Sequence, residues 1–190
     1  MLSPFIIALV FLINTLFGIY IFLIMLRLLL QWQRVAFRRD PILRTLLKIT
    51  DPPLNLLYNF IPGWRKIDVA AIVLMIVLKM LELKLLSWLG MDNNLDLFGL
   101  FIFAFAQLLS LLIYIFIFAI IIQVILSWIT PANSNNHFAD ILDDLTEPLL
   151  RVVRRKFKPM QGLDFSALIM IVILQLADIL VVGFIQQLAL

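Results

Sequence analysis

Four predominantly apolar segments, each long enough to cross a bilayer, constrain the fold of this chain more than any other feature. They cover about residues 5–30, 69–89, 97–125 and 165–188. A helix of roughly 20 apolar residues spans the ~30 Å hydrocarbon core of a membrane. The composition agrees, because 64% of the 190 residues are hydrophobic and only 14% are charged, which is far from a soluble domain. The sequence predicts an all-α membrane protein with four transmembrane helices.

The basic residues predict the orientation of these helices. Twelve lie in the two long connections, whereas the first 20 residues, the short connection GMDNNLD and the residues after Lys158 contain none. Connections rich in lysine and arginine stay in the cytoplasm, so we expect both long connections there and both termini on the outer side. A secretory signal peptide begins with basic residues. The first apolar segment is therefore expected to remain in the mature protein.

The two halves of the chain are related by an offset of 96 residues, without a gap. Identical residues at this spacing fall mainly at helix ends and turns: Leu30 with Leu126, Trp32 with Trp128, Thr50 with Thr146, Pro52 with Pro148, Leu54 with Leu150, Asp68 with Asp164, and Ala71 with Ala167. Each half consists of a span, a long connection and a span, so both halves have the same orientation. We predict two parallel repeats, residues 1–96 and 97–190.

Each long connection carries an amphipathic helical pattern. In the first, Asp40 and Pro41 suit a helix start, and an apolar face opposite Arg44 and Lys48 is formed by Ile42, Leu43, Leu46, Leu47 and Ile49. In the second, Phe138, Ile141, Leu142 and Leu145 lie opposite Asp140, Asp143 and Asp144. Thr50-Asp51-Pro52 and Thr146-Glu147-Pro148 are expected to end one helix and begin another, because proline lacks a backbone donor. This predicts two short amphipathic helices per connection, lying at the cytoplasmic headgroup level.

The stretch TEPLLRVVRRKFKPMQGLDFS, residues 146–166, resembles the repeat of the YggT family, which is found in bacterial inner membranes, with relatives in cyanobacteria and plastids. The shared pattern is an acid-proline pair, an arginine-rich turn and then P-x-x-G-L-D. The first copy, TDPPLNLLYNFIPGWRKIDVA, keeps Asp51, Pro52, Pro62 and Asp68 but lacks the arginine pair. The resemblance covers essentially the whole chain. It implies a bacterial inner membrane protein, linked to membrane organisation, assembly of membrane complexes or osmotic tolerance.

The basic run that follows Pro148 is the candidate lipid-binding or partner-binding site. Its residues are Arg151, Arg154, Arg155, Lys156 and Lys158. A cation near an anionic membrane surface gains about 1 kcal/mol. Two other interpretations stay open, namely a signal for topology alone and a contact with protein or nucleic acid. The short patch beside the bilayer makes nucleic acid the weakest of these.

Polar residues recur inside the spans at the same offset. Lys79 and Glu82 in LKMLELK match Gln175 and Asp178, and Asn14 matches Ser110. Residues at i and i+3 share a helix face, and ionisable groups within a membrane usually face the bundle interior. This polar seam is expected to form hydrogen bonds between helices, with a hydrated ion pathway and a subunit interface as alternatives. Lys84 is expected to snorkel to the outer surface.

Asp68 and Asp164 immediately precede the second and fourth spans and are expected to cap them. Ser166 adds a hydrogen-bonding group there, and Gly162 permits a close approach to the membrane.

Catalytic chemistry is not expected from this sequence. There is no cysteine, and a solvated His137 is the single histidine, which excludes thiolate sites and bis-histidine haem ligation within one chain. No nucleophile-base pair or metal-ligand set is evident, so we expect neither an enzyme nor a cofactor. The expected function is a scaffold or assembly factor that engages anionic lipid or a membrane-protein partner. A second copy of the chain, in a homo-oligomer, is a further candidate partner. The alternative is a small oligomeric ion transporter or channel linked to osmotic tolerance.

Overall fold

The computed structural model describes residues 3–32, 41–59, 68–90, 96–129, 137–156 and 165–189. Within these ranges the regular structure is helical. The helices are α1 Pro4–Trp32, α2 Pro41–Tyr58, α3 Val69–Trp88, α4 Leu97–Ile129, α5 His137–Lys156, α6 Ser166–Ala177 and α7 Gly183–Gln187, with a π-helical turn Asp178–Val182 between the last two. The chain forms two compact units, one of residues up to Leu108 and from Ile185 onward, the other Leu109–Phe184.

Three helical stretches of the described chain are long and apolar enough to cross a membrane. They are Pro4–Trp32, Leu97–Ile129 and Ser166–Gln187. The predicted second span is also a helix, α3, of 20 residues, but Lys79, Glu82 and Lys84 interrupt its apolar character. The end of α3 and the start of α4 are marked by local signals. After α3, Gly90 has φ 84°, the left-handed conformation that often ends a helix. At the start of α4, Asp96 Oδ1 accepts a hydrogen bond from Gly99 N.

The prediction of two short helices in each long connection was wrong. A single helix, α2, passes through Pro52 and Pro53, and a single helix, α5, passes through Pro148. A proline inside a helix deprives the carbonyl four residues earlier of its donor. In α2 the Ile49 carbonyl, which Pro53 leaves without one, instead accepts from the Tyr20 hydroxyl at 3.4 Å. Thr50, Asp51 and Pro52, and likewise Thr146, Glu147 and Pro148, are therefore interior helix residues rather than caps.

The buried face of α2 also differs from the predicted one. Leu43 and Leu46 are buried and Arg44 is exposed, as expected; Leu54, outside the predicted face, is also buried, and Ile49 is 45% exposed. At 100° per residue, the buried stripe through these leucines is centred on Thr50, which is completely buried. Apolarity alone places Ile49 on this face, whereas the polar Thr50 occupies its centre.

The same helix pair is closed in the first unit and open in the second. In the first, α1 packs on α3; Met25 of α1 and Met75 of α3 are 5% and 2% exposed, and Ala70 and Ala71 of α3 are fully buried. Small residues allow such helices to approach closely.

In the second unit, α6 turns its buried residue Met170 toward α5, where it clusters with Leu150 and Val153, and with Ile120 of α4. Ile121, the equivalent of Met25, is 37% exposed. A groove of about 850 Å³ lies between α4 and α6, lined in part by Ile121, Ile125, Ala167 and Ile171.

This difference predicts unequal losses of stability from the same substitution at two equivalent alanines. Ala71→Leu overpacks the closed contact between α1 and α3, at a cost of about 1–3 kcal/mol, and lowers the melting temperature of the purified chain in detergent. Ala167 is partly buried against the Leu150 and Met170 cluster but lines the groove, so Ala167→Leu should lower the melting temperature by much less. Equal losses from the two substitutions would contradict the difference in packing.

Candidate functional site

A buried arginine connects the first two helices. Arg27, near the end of α1, is only 4% exposed. Its Nη1 donates to Thr50 Oγ1 at 2.7 Å and forms an ion pair with Asp51 Oδ1 at 2.6 Å, both on α2. The Thr50 hydroxyl in turn donates to the Leu46 carbonyl at 2.8 Å. Since a buried charge is tolerated only when it is paired and hydrogen-bonded, these contacts fix α2 against α1.

A tyrosine extends this network to the third helix. Arg27 Nη2 lies 3.5 Å from the hydroxyl oxygen of Tyr58, and that hydroxyl donates to Asp68 Oδ2. Burial, followed by the hydrogen bond to Asp68 and the Asp68 charge, raises the pKa of Tyr58, so the phenol keeps its proton and remains a donor. The other Asp68 oxygen accepts from Ala71 N at 3.1 Å, which places Asp68 at the N-cap position predicted from the sequence. We call Arg27, Thr50, Asp51, Tyr58 and Asp68 the arginine network.

The second repeat holds the same positions with different charges. Gln123 stands at the position of Arg27, and its Oε1 lies 2.6 Å from the hydroxyl of Thr146, which is fully buried like Thr50. Gln123 Nε2 donates to Asp143 Oδ1. The arginine of this repeat is Arg154, at the position of Tyr58, and it forms an ion pair with Glu147 at 2.8 Å. The cation that faces the carboxylate thus lies on α1 in the first repeat and on α5 in the second, while the carboxylate and threonine positions are retained.

The basic run ends α5. Arg154, Arg155 and Lys156 occupy its last turn, where positive charge interacts favourably with the helix dipole. Arg151 also pairs with Glu147, at 3.4 Å, while Arg155 and Lys156 are exposed. The predicted site residues Lys158, Gly162 and Asp164 lie outside the described residues.

Four of the six polar seam residues form pairs, one pair in each unit. Lys79 Nζ contacts both oxygens of the buried Glu82, at 2.9 and 3.0 Å, as the i and i+3 spacing predicts. Asp178, at the start of the π-helical turn, accepts from Ser110 Oγ at 2.7 Å. Asn14 is exposed, Gln175 is half-buried, and the predicted cap residue Ser166 is a buried residue in the first turn of α6.

Sequence reasoning missed Arg27, Tyr58 and Gln123. Arg27 lies inside the first apolar segment and was not counted among the basic residues of the connections. The available signal was the 96-residue offset, which aligns Arg27 with the polar residue Gln123 and Tyr58 with Arg154. Within the described chain no group of three histidine or acidic side chains is placed to hold a metal ion. The arrangement positions charge and joins helices.

The different burial of the two ion pairs predicts unequal effects of neutralising their carboxylates. Asp51→Asn removes the counterion of the buried Arg27 guanidinium; because the Asp51 side chain is itself 41% exposed, the loss should be about 1–3 kcal/mol. The equivalent change Glu147→Gln affects arginines with side chains 63% and 38% exposed, where pairs are worth about 0–1 kcal/mol. The measurement is equilibrium unfolding of the purified full chain in micelles.

A double variant provides the control for this comparison. Arg27→Gln combined with Asp51→Asn removes the buried charge together with its partner and gives the first repeat the residue found at Gln123. It should be more stable than Asp51→Asn alone, as expected for coupled neighbours. Similar losses for Asp51→Asn and Glu147→Gln, or no recovery in the double variant, would refute a buried charge at Arg27.

Comparison with known proteins finds one family model and several bacterial relatives that match most of the chain. The model of the CCB3/YggT family matches twice, at residues 6–89 and 102–185. The chain is 34% identical to the uncharacterized protein PA0392 of Pseudomonas aeruginosa over 93% of its own length and 89% of the relative's. It is 32% identical to an uncharacterized protein of Vibrio alginolyticus, encoded in the proC 3′ region, over 90% and 91% of the two chains. Uncharacterized protein YggT of Escherichia coli K12 is 28% identical over 88% and 85%.

No solved structure matches this chain. The two matched ranges begin 96 residues apart, at residues 6 and 102, which confirms the tandem repeat. The chain belongs to the CCB3/YggT family.

Proposed function

We propose that this protein is a scaffold of the bacterial inner membrane that engages anionic lipid headgroups through the basic end of α5. The observation that carries the proposal is the anchoring of that helix end. Leu150 and Val153 cluster with Met170, in the early part of α6, and α6 begins a stretch able to cross a membrane. The exposed Arg155 and Lys156 follow directly. Cations held near the end of a spanning helix are well placed to meet headgroups.

The proposal includes four spans, with α2 and α5 as amphipathic helices at the cytoplasmic headgroup level and both termini outside. The ion pair of Lys79 with Glu82 supports α3 as the fourth span, since it removes the net charge from its middle. The exposed Lys84 lies closer to the end of the helix, where a long cationic side chain reaches the surface.

Single cysteines test this topology without background, because the chain has none of its own. With α3 as a span, Lys48→Cys and Asp96→Cys lie on opposite sides of the membrane. An impermeant maleimide added to spheroplasts should label the cysteine at 96, and label that at 48 only after permeabilisation. Lys48 and Asp96 are both exposed in the structure, which makes them a matched pair. Labelling of both from one side would exclude α3 as a span.

Lipid retention tests the headgroup contact. Full-length chain is purified from membranes containing phosphatidylglycerol and phosphatidylethanolamine, and retained lipid is quantified by mass spectrometry. Charge reversal at the exposed end of α5, Arg155→Glu with Lys156→Glu, should lower retained phosphatidylglycerol by about fivefold or more, because each cation near an anionic surface contributes about 1 kcal/mol.

The matched control reverses two exposed cations on the equivalent helix, Arg44→Glu with Lys48→Glu, and should have a smaller effect. High salt should weaken the preference of the unmodified chain, since exposed charges are screened. Equal effects of the two double variants would reduce the basic end of α5 to a topology signal.

The alternative function is ion transport by an oligomer, and one observation favours it. Asp178 begins a π-helical turn inside a spanning stretch, and such turns are frequent at functional sites. Against this, Asp178 is bonded to Ser110 and Glu82 to Lys79, as expected of packing contacts. Transport predicts an ion flux in proteoliposomes that Asp178→Asn and Glu82→Gln abolish, whereas the scaffold predicts no flux above that of protein-free vesicles.

A further inference from the structure

Within the described residues, the helix pair α4 and α6 encloses a groove, whereas the equivalent pair α1 and α3 packs together. The groove-lining residues Ile121 and Ile125 are 37% and 47% exposed, whereas their equivalents Met25 and Leu29 are 5% and 4% exposed in the first repeat. Ala167 lines the groove, while its equivalent Ala71 is completely buried. The divergence of the repeats has therefore opened a space in one of them, at about 850 Å³, within the ~300–1,000 Å³ range of ligand sites.

The lining of this groove is divided by polarity. Ile121, Ile125, Leu168, Ile171 and Val172 supply apolar walls along two helices that can cross a membrane. Gln123, Ser127 and Arg154 supply its polar groups, with Trp128 beside them. Tryptophan is enriched at membrane interfaces, and Trp128 is 83% exposed at the last turn of α4.

We propose that this groove binds one anionic phospholipid, with an acyl chain along α4 and α6 and the phosphate at Arg154. Charge complementarity selects this occupant over a zwitterionic lipid or a second copy of the chain. Arg151 and Arg154 both pair with Glu147, the exposed cations Arg155 and Lys156 lie beside them at the end of α5, and an arginine guanidinium matches phosphate geometry. The first repeat has Tyr58 at the position of Arg154 and closed helices beside it, so it lacks both parts of the site.

The proposal deepens the proposed function by placing one of the lipids in a defined groove. Arg154 in the groove is paired with Glu147, so a bound phosphate would be a second anion beside that ion pair. The surface residues Arg155 and Lys156 attract anionic lipid in either case. The groove is distinguished from them by its response to steric filling.

Tryptophan quenching by brominated lipid tests the groove in the full chain. Trp128 is retained while Trp32, Trp64 and Trp88 are changed to phenylalanine, and the protein is placed in nanodiscs of equimolar phosphatidylglycerol and phosphatidylcholine, with either lipid brominated on its acyl chains. Comparing the quenching of Trp128 by the two brominated lipids gives the ratio of their affinities for the groove. This ratio should favour phosphatidylglycerol about fivefold, which corresponds to about 1 kcal/mol. A chain retaining only Trp32, the equivalent residue beside the closed helix pair, should show a ratio near one.

Two substitutions should lower the preference at Trp128 to near one: Ala167→Leu, which fills the groove, and Arg154→Gln, which removes the phosphate partner. Ile173→Phe, at an exposed position of α6 that does not line the groove, is the matched control and should leave the preference intact. Equal quenching by both lipids in the unmodified groove, or a preference that survives Ala167→Leu, would overturn the proposal. So would weak quenching by both lipids that strengthens as the protein is diluted in lipid, since a second copy would then occupy the groove.

The two proposals fail in different ways. If Ala167→Leu leaves the preference intact and Arg155→Glu with Lys156→Glu abolishes retention of phosphatidylglycerol, the headgroup scaffold stands and the groove site falls. If Ala167→Leu abolishes the preference and the surface double variant changes nothing, the lipid is held by the groove alone and the surface contact falls.

Discussion

The burial of the Arg27 guanidinium is the constraint on which the arrangement of the first repeat depends. A charge at 4% exposure in an apolar helix requires a counterion and hydrogen-bond acceptors nearby. Asp51 and Thr50 provide them from α2, and Tyr58 transmits the contact to Asp68 at the start of α3. Three helices are thus joined by one chain of hydrogen bonds, in which both terminal nitrogens of Arg27 take part and its buried Nε has no partner among the described residues.

The second repeat preserves the framework of this network and changes its electrostatics. Thr146 keeps both the burial and the backbone contact of Thr50, with 2.8 Å from Oγ1 to the carbonyl four residues earlier in each case. The neutral Gln123 meets Thr146 where Arg27 meets Thr50. Because no buried cation has to be neutralised there, Glu147 pairs instead with arginines on its own helix. One repeat holds its arginine inside, and the other presents it at the end of α5.

How far the sequence predicts this structure depends on the kind of signal. Lengths of apolar segments locate α1, α3, α4 and the Ser166–Gln187 stretch to within a few residues, because the requirement comes from helix geometry. Local spacing likewise predicts the pair of Lys79 with Glu82. Proline was misleading at Pro52 and Pro148, because a helix tolerates an interior proline on its exposed side; Lys48 and Asp144, four residues earlier, are both exposed. The bond between Ser110 and Asp178 depends on how α4 meets the π-helical turn, which no local pattern specifies.

The small free energy of each contact between a cation and an anionic headgroup limits what the basic end of α5 can do in the proposed function. Each near-surface cation contributes about 1 kcal/mol toward anionic lipid, and physiological salt screens exposed charges beyond about 8 Å. Insertion of three long apolar helices is far stronger than that sum, so Arg155 and Lys156 are not needed to hold the protein in the membrane. A contact of this strength instead discriminates between lipids. It can do so only where geometry keeps cation and headgroup within screening distance, and the packing of Leu150 and Val153 on Met170 supplies that fixed geometry.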